Sequence, residues 1–265
     1  MYNFKVYKQY IKMGVMRFTE YRSSFLAGLV GLIMINGVSI LLIWVMLSNF
    51  NTLDTWSFWE IVFNYCLFLT CLGFHNTFFR HISDLETHIL EGSFDRFLLK
   101  PFSPFLQLVG DKVSLPDICD FLVGLVGVLF AYRQLKMSFS ILKIILLIIY
   151  ILNGIYLFTI ILFAISCLSF WTMKSRPIVY GTSEIQESVQ HYPIGIFGKG
   201  FKVIVSTLIP YALINYYPSL IILDKATDKY VHIYIALIFF IDFVYLITSK
   251  ILWSNGLKRY KSSGS

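Results

Sequence analysis

Residues Ile141–Trp171, ILKIILLIIYILNGIYLFTIILFAISCLSFW, decide the fold class: the run is apolar almost throughout, and Lys143 is its one charged side chain. A helix rising about 1.5 Å per residue needs about 20 such residues to cross the roughly 30 Å of bilayer hydrocarbon. Phe25–Leu47, Phe58–Phe79, Leu115–Tyr132 and Val231–Trp253 have the same character. A further apolar run, Phe201–Leu223, is interrupted by Pro210 and Pro218, with Asn215, Tyr216 and Tyr217 between them. It either crosses or dips in and returns, because broken backbone is tolerated only inside protein or beside water. Across 265 residues, 57% are AVILMFWYC and 14% are charged, against about 25% charged in soluble domains. The reading is an all-α polytopic membrane protein forming a single membrane domain over 1–265.

The basic residues orient it. Lys5, Lys8, Lys12, Arg17 and Arg22 precede the first run, and Lys250, Lys258, Arg259 and Lys261 follow or cap the last, so both termini are expected in the cytoplasm. Ser48–Ser57 carries no Lys or Arg, whereas Arg80, Arg96, Lys100 and Lys112 follow the second run and place that stretch inside as well. The net charge of +7 therefore has a topological reading, and no nucleic-acid partner is expected. The first 24 residues lack the apolar core of a signal peptide. Phe4, Tyr7, Tyr10, Ile11 and Val15 instead form a stripe in Tyr2–Arg22, the pattern of a helix lying on the membrane surface. Cys66, Cys71, Cys119 and Cys167 have no metal or redox spacing and read as free thiols.

Both termini inside requires an even number of crossings, and two counts satisfy it. In one, Met173–Lys199 is a cytoplasmic loop and Phe201–Leu223 the fifth span. In the other, Pro177–Gly195 is a polar fifth span and Phe201–Leu223 a re-entrant outer hairpin. The first leaves more of the 22 Lys and Arg inside, and it keeps Glu184, Gln186, Glu187, Gln190 and His191 out of lipid.

Catalytic patterns are absent from the sequence: there is no GxxxxGK[ST] phosphate loop, no HExxH and no GxSxG. His81 and His88 share a helical face but read as part of a solvated loop, not a metal site. In that loop Ser83 and Glu86 have capping-box spacing, so a short helix is expected to start there, and Gly92 to end it. Phe94, Phe97, Leu98 and Leu99 then form an apolar edge before Pro101 and Pro104. Such an edge needs a protein partner, the membrane surface or the chain's own bundle.

The stretch Glu91-Gly-Ser-Phe-Asp-Arg-Phe-Leu-Leu-Lys-Pro-Phe-Ser-Pro104, between the second and third runs, resembles the Glu-Gly and Leu-Leu-x-Pro pattern of ABC-2 type transporter permeases. Glu20-Tyr-Arg-Ser-Ser-Phe25, Tyr192-Pro-Ile-Gly-Ile-Phe197, Ile209-Pro-Tyr-Ala-Leu-Ile-Asn-Tyr-Tyr-Pro218 and Trp253-Ser-Asn-Gly-Leu-Lys-Arg-Tyr-Lys-Ser-Ser-Gly264 resemble a branch of small bacterial permeases in the same superfamily. The likeness runs over nearly the whole chain. It implies six spans: 25–47, 58–79, 115–132, 141–171, 177–195 and 231–253. It also implies a surface helix over 1–24, a cytoplasmic coupling loop over 80–113, a re-entrant extracellular hairpin over 201–223, and a bacterial plasma membrane.

The resemblance implies that the chain is the permease subunit of an ATP-driven exporter. Two permease chains, identical or related, would enclose the pathway, and two ABC ATPase subunits, holding the ATP and Mg, would drive it. Asp84, Glu86, Glu91, Gly92, Phe94, Phe97 and Leu98 are then the expected coupling residues, with Phe94, Phe97 and Leu98 exposed and docked in a groove of the ATPase, tilting the second and third spans. Along Pro177–Gly195, Glu184, Glu187, Gln190 and His191 recur at i, i+3, i+6 and i+7 on one stripe. That stripe either lines the pathway or forms a buried network between helices. Asp242 is a lone acid in the last span, read as pairing with a neighbouring helix. The alternative function is a secondary transporter or channel without ATPase, which would need ionisable residues in several spans. In the first four spans only Glu60, Asp117, Asp120 and Lys143 qualify, all near span ends.

Overall fold

The computed structural model describes residues 22–49, 53, 55–101, 103–110, 114, 116–137 and 140–261. The surface helix expected before Arg22 lies outside the described residues. Among them the structure is all helical, with no strand.

Helix α2 (Phe58–Phe78) is the central post. It is apolar all round, and Ile61, Phe63, Tyr65, Leu67, Phe68 and Leu69 are all buried, as expected for a helix with neighbours on every side. Glu60 holds its start by accepting the Ser57 N–H at 2.7 Å. Helix α6 (Ile118–Gln134) lies along it, in contact through glycines. A Cβ on Gly73 would stand 2.2 Å from the Phe121 nitrogen, and one on Gly124 2.6 Å from the Thr70 nitrogen. Only residues without a side chain allow backbones this close. Where a span is expected over Leu115–Tyr132, the helix comprises these 17 residues, about 26 Å. The ring of Pro116, which cannot continue a helix interior, sets its start.

Helix α1 (Arg22–Asn49) packs on α2 and α6 and leaves Ile33, Met34, Ile35, Leu41, Leu42 and Trp44 exposed. Helices α7 (Ile141–Cys167), running on into the short α8 (Ser169–Thr172), and α12 (Asp228–Arg259) close the other side. Asp242 of α12 accepts a hydrogen bond from the Asn153 amide of α7, the cross-helix pairing expected for a lone acid in an apolar setting. Cys66, Cys71, Cys119 and Cys167 are all free.

The run interrupted by prolines breaks where expected. Helices α10 (Lys199–Thr207) and α11 (Tyr216–Ile222) are joined through a 3-10 turn, and the pair is bent by 74°. The turn, Tyr211 to Asn215, is fully buried. Its Asn215 amide donates to the Val189 carbonyl at 3.1 Å and lies 3.4 Å from that of Asn64. Helix α9 (Arg176–His191) supplies Val189 and packs on α2 and α7. Among the described residues four helices are long and apolar enough to cross a membrane, α1, α2, α7 with α8, and α12; the bent pair makes a fifth if it counts as one span.

Side chains mark two ends of the bundle. At one, Lys225 donates to Glu60 at 2.9 Å and to the Thr55 carbonyl at 2.9 Å and lies 5.1 Å over the Trp56 ring, while Lys143 pairs with Asp224. At the other, Phe94 meets Phe170, Trp253 and Tyr260, and the Tyr260 hydroxyl donates to Asp95 at 2.9 Å. Burial and the adjacent Asp95 carboxylate push the Tyr260 phenol up to about 12, so its proton stays in that bond at any physiological pH.

The glycine seam gives a direct test. Gly73→Ala forces the α2 and α6 backbones apart and should destabilise the purified protein by about 1–3 kcal/mol, as overpacking does. It is read as a lowered melting temperature in detergent. Gly31→Ala, with nothing within 4 Å of its new methyl, should leave that temperature unchanged.

Candidate functional site

Two features stand out at the Phe94 end of the bundle and along α9: a folded segment between α2 and α6, and a polar stripe.

The segment opens with a 3-10 turn, Arg80–Asp84, and continues as helices α3 (Leu85–Leu90), α4 (Asp95–Leu99) and α5 (Pro104–Gly110). Gly92 has φ 68°, the left-handed conformation that ends α3. The capping box expected from Ser83 and Glu86 does not form. Helix α3 emerges directly from the 3-10 turn with no side-chain cap, and Glu86 turns away to a distant partner. Its carboxylate, buried, accepts the backbone N–H of Ser175, the Ser175 hydroxyl at 3.1 Å and the backbone N–H of Arg176 at 2.6 Å. These are the orphan donors at the start of α9, where a negative charge is also favoured by the helix dipole. Arg176 reaches back, its guanidinium donating to Thr87 at 2.6 Å and lying 3.8 Å from Asp84, which also holds His81 at 2.8 Å.

The expected exposure of Phe94 and Phe97 is corrected as well. Both are buried, and Phe94 is fully enclosed by Phe97, Phe170, Trp253 and Tyr260, with ring centroids 5.0–6.2 Å away. These rings are the core on which the segment is built and are not free to anchor a partner. The aromatic density of α8 and the end of α12 supplies their cover. The outward tip consists of Leu90, Glu91, Arg96, Leu98, Leu99 and Lys100; Leu98 is 46% and Leu99 84% exposed. Of the residues singled out in the sequence, Glu91 and Leu98 face outward, Asp84 is half-exposed, Gly92 shapes the turn, and Glu86, Phe94 and Phe97 face inward.

The stripe on α9 divides. Glu184 and Glu187 are exposed, on the same side as Tyr180. Gln190 is buried, and His191 closes on α1 and α2: its Nε2 lies 3.2 Å from the Ser39 hydroxyl and its ring 5.2 Å from that of Tyr65. Its Nδ1 meets the Glu187 carbonyl at 2.9 Å, and since a carbonyl only accepts, Nδ1 carries a proton. The network continues beyond the stripe. Tyr65 donates to the Asn36 side-chain Oδ1 at 2.6 Å, and the Asn36 side-chain amide donates to Asp120 at 2.8 Å. Asn36, Ser39 and Asp120 were not singled out from sequence as a site. The available signal was the pair Asn36 and Ser39, polar side chains three apart on one face of an otherwise apolar helix.

The profile of a family described as ABC-2 family transporter protein matches residues 32–264, nearly the whole of the chain. Neither curated proteins nor solved structures give a match.

Phe94 separates a core role from a docking role. Phe94→Ala removes a ring enclosed by four others and should destabilise the purified protein by about 3–5 kcal/mol, lowering its melting temperature and its yield. Leu99→Ala, at a side chain facing solvent, should leave both as they are.

Proposed function

The chain belongs to the ABC-2 family of transporter proteins, as a multi-pass membrane permease, and on that premise we propose that it forms the substrate pathway of an exporter driven by ATP hydrolysis on a separate chain. Membership implies association with an ABC ATPase. Two ATPase subunits, holding the ATP and Mg, act on a pair of permease chains, identical or related. The chain crosses the bacterial plasma membrane six times with both termini in the cytoplasm, α9 being the fifth crossing and α10 with α11 a re-entrant outer hairpin. Two observations support this count. Helix α9 starts at the Phe94 end and packs along α2 and α7 with its other face open, and the bent turn beyond it is buried against α2, α7 and α9. At 16 residues α9 covers about 24 Å, so neighbouring helices must shield its polar ends.

The observation that carries the proposal is the tip at Leu98 and Leu99. The segment already has a closed aromatic core, in which these two leucines take no part, and both are exposed beside the exposed Arg96 and Lys100 of the same turn. Exposed apolar side chains ringed by charge are the composition of a docking surface. The tip engages the ATPase, while Glu184 and Glu187 on the open face of α9 line the pathway and suit a cationic or polar-headed cargo. Gln190 and His191 hold that helix in register with α1 and α2.

Replacing Leu98 and Leu99 together by Asp should weaken ATPase binding by about 2 kcal/mol or more, roughly thirtyfold, with the melting temperature of the permease unchanged. Co-purification in detergent reads the loss. Retention of a soluble ATPase at wild-type level would remove the tip from the interface. Failure of the wild-type permease to retain any ATPase would favour a secondary transporter or channel. Orientation is tested separately, with single cysteines at Arg96 and Thr227 in a cysteine-free background. An impermeant maleimide should label Thr227→Cys in intact cells and Arg96→Cys only after permeabilisation; the reverse pattern would invert the topology.

A further inference from the structure

The contacts between the α3 segment and the start of α9 join two parts of the molecule that are about ninety residues apart in sequence and that the proposed function uses for different tasks. The tie runs both ways. Glu86, from α3, closes on the backbone N–H groups of Ser175 and Arg176 and on the Ser175 hydroxyl, with Ser175 itself fully buried. Arg176, from α9, closes on Thr87 and lies beside Asp84.

The two halves of this tie differ in strength. The Arg176 to Asp84 pair is 3.8 Å long with side chains 48% and 38% exposed, so solvent screens it and it holds little by itself. Glu86 is buried, and its bonds to the helix start are charge-assisted and shielded from water. Removing the carboxylate would leave the N–H groups of α9 without their acceptor. The Glu86 contact is therefore the stiff element, and the Arg176 contacts fix the rotation of α3 about it. Beneath the tie, Phe94 packs on Phe170 of α8, in the turn that leads to Ser175, so the segment also rests on the chain leading into α9.

We propose that the Glu86 clamp on the Ser175–Arg176 helix start makes the α3 segment and α9 a single lever, so that force at the Leu98 and Leu99 tip passes into the helix carrying Glu184 and Glu187. This departs from a lever acting chiefly by tilting the second and third spans. Helix α2 is buried on all sides and stapled to α6 by glycine contacts, the arrangement least able to move alone. Helix α9 has an open face, is tied at its first turn by Glu86 and is held at its last turn by the contacts of Val189 and His191, so a push on its first turn acts on a helix free along the side between. Glu86 is a positioning residue here: it touches neither cargo nor ATP. The inference rests on the proposed reading for its direction of force, while the clamp itself can be measured without an ATPase.

The test uses the full-length permease in nanodiscs, in a cysteine-free background with spin labels at Glu91→Cys and Tyr180→Cys, one on each arm. Without ATPase, the distance distribution between the labels should be single and narrow, and Glu86→Gln, which keeps the shape and loses the charge, should broaden it. The double variant Asp84→Asn with Thr87→Val, which cuts only the Arg176 contacts, should broaden it less. With the cognate ATPase bound, ATP and vanadate should change the modification rate of a cysteine at Ser183 on α9. In Glu86→Gln that change should fall at least fivefold while ATP hydrolysis stays within twofold of wild type, a separation that general destabilisation would not produce. A distribution unaffected by Glu86→Gln overturns the clamp, and so does an undiminished ATP-dependent change at Ser183. If Glu86→Gln fails to fold, Ser175→Pro, which removes both the N–H and the hydroxyl that Ser175 donates to Glu86 at a position preceding the helix, takes its place with the same expected outcomes. If no ATPase binds the wild-type permease, the transport reading fails, and the spin-label distances still decide the clamp.

Discussion

A helix carrying two glutamates, a glutamine and a histidine along one stripe lies against an apolar bundle with one face open, and the cover given to its last turn and to the broken backbone beyond it organises the structure around it. Helix α9 sets its apolar side, with Val189, against α2 and α7. Its last turn is taken up by a polar cluster: Gln190 is buried, and His191 meets Ser39 beside the ring of Tyr65. The chain following it breaks twice before α12, and a broken backbone is tolerable at membrane depth only where protein shields it. The Tyr211 to Asn215 turn meets that condition by lying fully buried, with the Asn215 amide supplying a donor to the carbonyl of Val189.

The same constraint explains the contrast between the two ends. At the Lys225 end, ion pairs and a cation–π contact hold the exit of the bent hairpin to the starts of α2 and α7. At the Phe94 end the contacts are aromatic edges and faces, which pack densely without fixing one hydrogen-bonded geometry. The Glu86 and Arg176 contacts with the start of α9 and the Tyr260 to Asp95 bond add polar ties there. The bundle is thus stapled by ionic contacts at one end and joined by aromatic packing at the other.

The apolar runs, the break at Pro210, the left-handed Gly92 and the cross-helix partner for Asp242 were legible in the sequence because each depends on a local pattern or on the cost of leaving one group in lipid. What was illegible depends on residues far apart in the chain. Ser83 and Glu86 have the spacing of a local cap, but a helix start 89 residues away with unpaired N–H groups competes for the same carboxylate and wins. Phe94 reads as an exposed anchor until Phe170, Trp253 and Tyr260 are brought around it from two other helices. The α9 stripe was visible as a stripe. Its division between an exposed pair, Glu184 and Glu187, and a pair packed on α1 and α2, Gln190 and His191, was not, because periodicity reports a shared face and says nothing of where along the helix the neighbours begin. The Asn36, Tyr65 and Asp120 chain spans three helices and left only the Asn36 and Ser39 spacing as a trace.

The claim on which the rest turns is that the open face of α9 meets water inside the assembled transporter. Its most direct measurement is the reactivity of a single cysteine at Glu187, in a cysteine-free permease reconstituted with its ATPase in nanodiscs, towards a charged, water-soluble methanethiosulfonate and a membrane-partitioning maleimide. Rapid reaction with the charged reagent, comparable to that of a cysteine at Lys100 on the solvent-facing tip, is the expected result. Reaction with the membrane-partitioning reagent alone would place that face in lipid and contradict a pathway along α9.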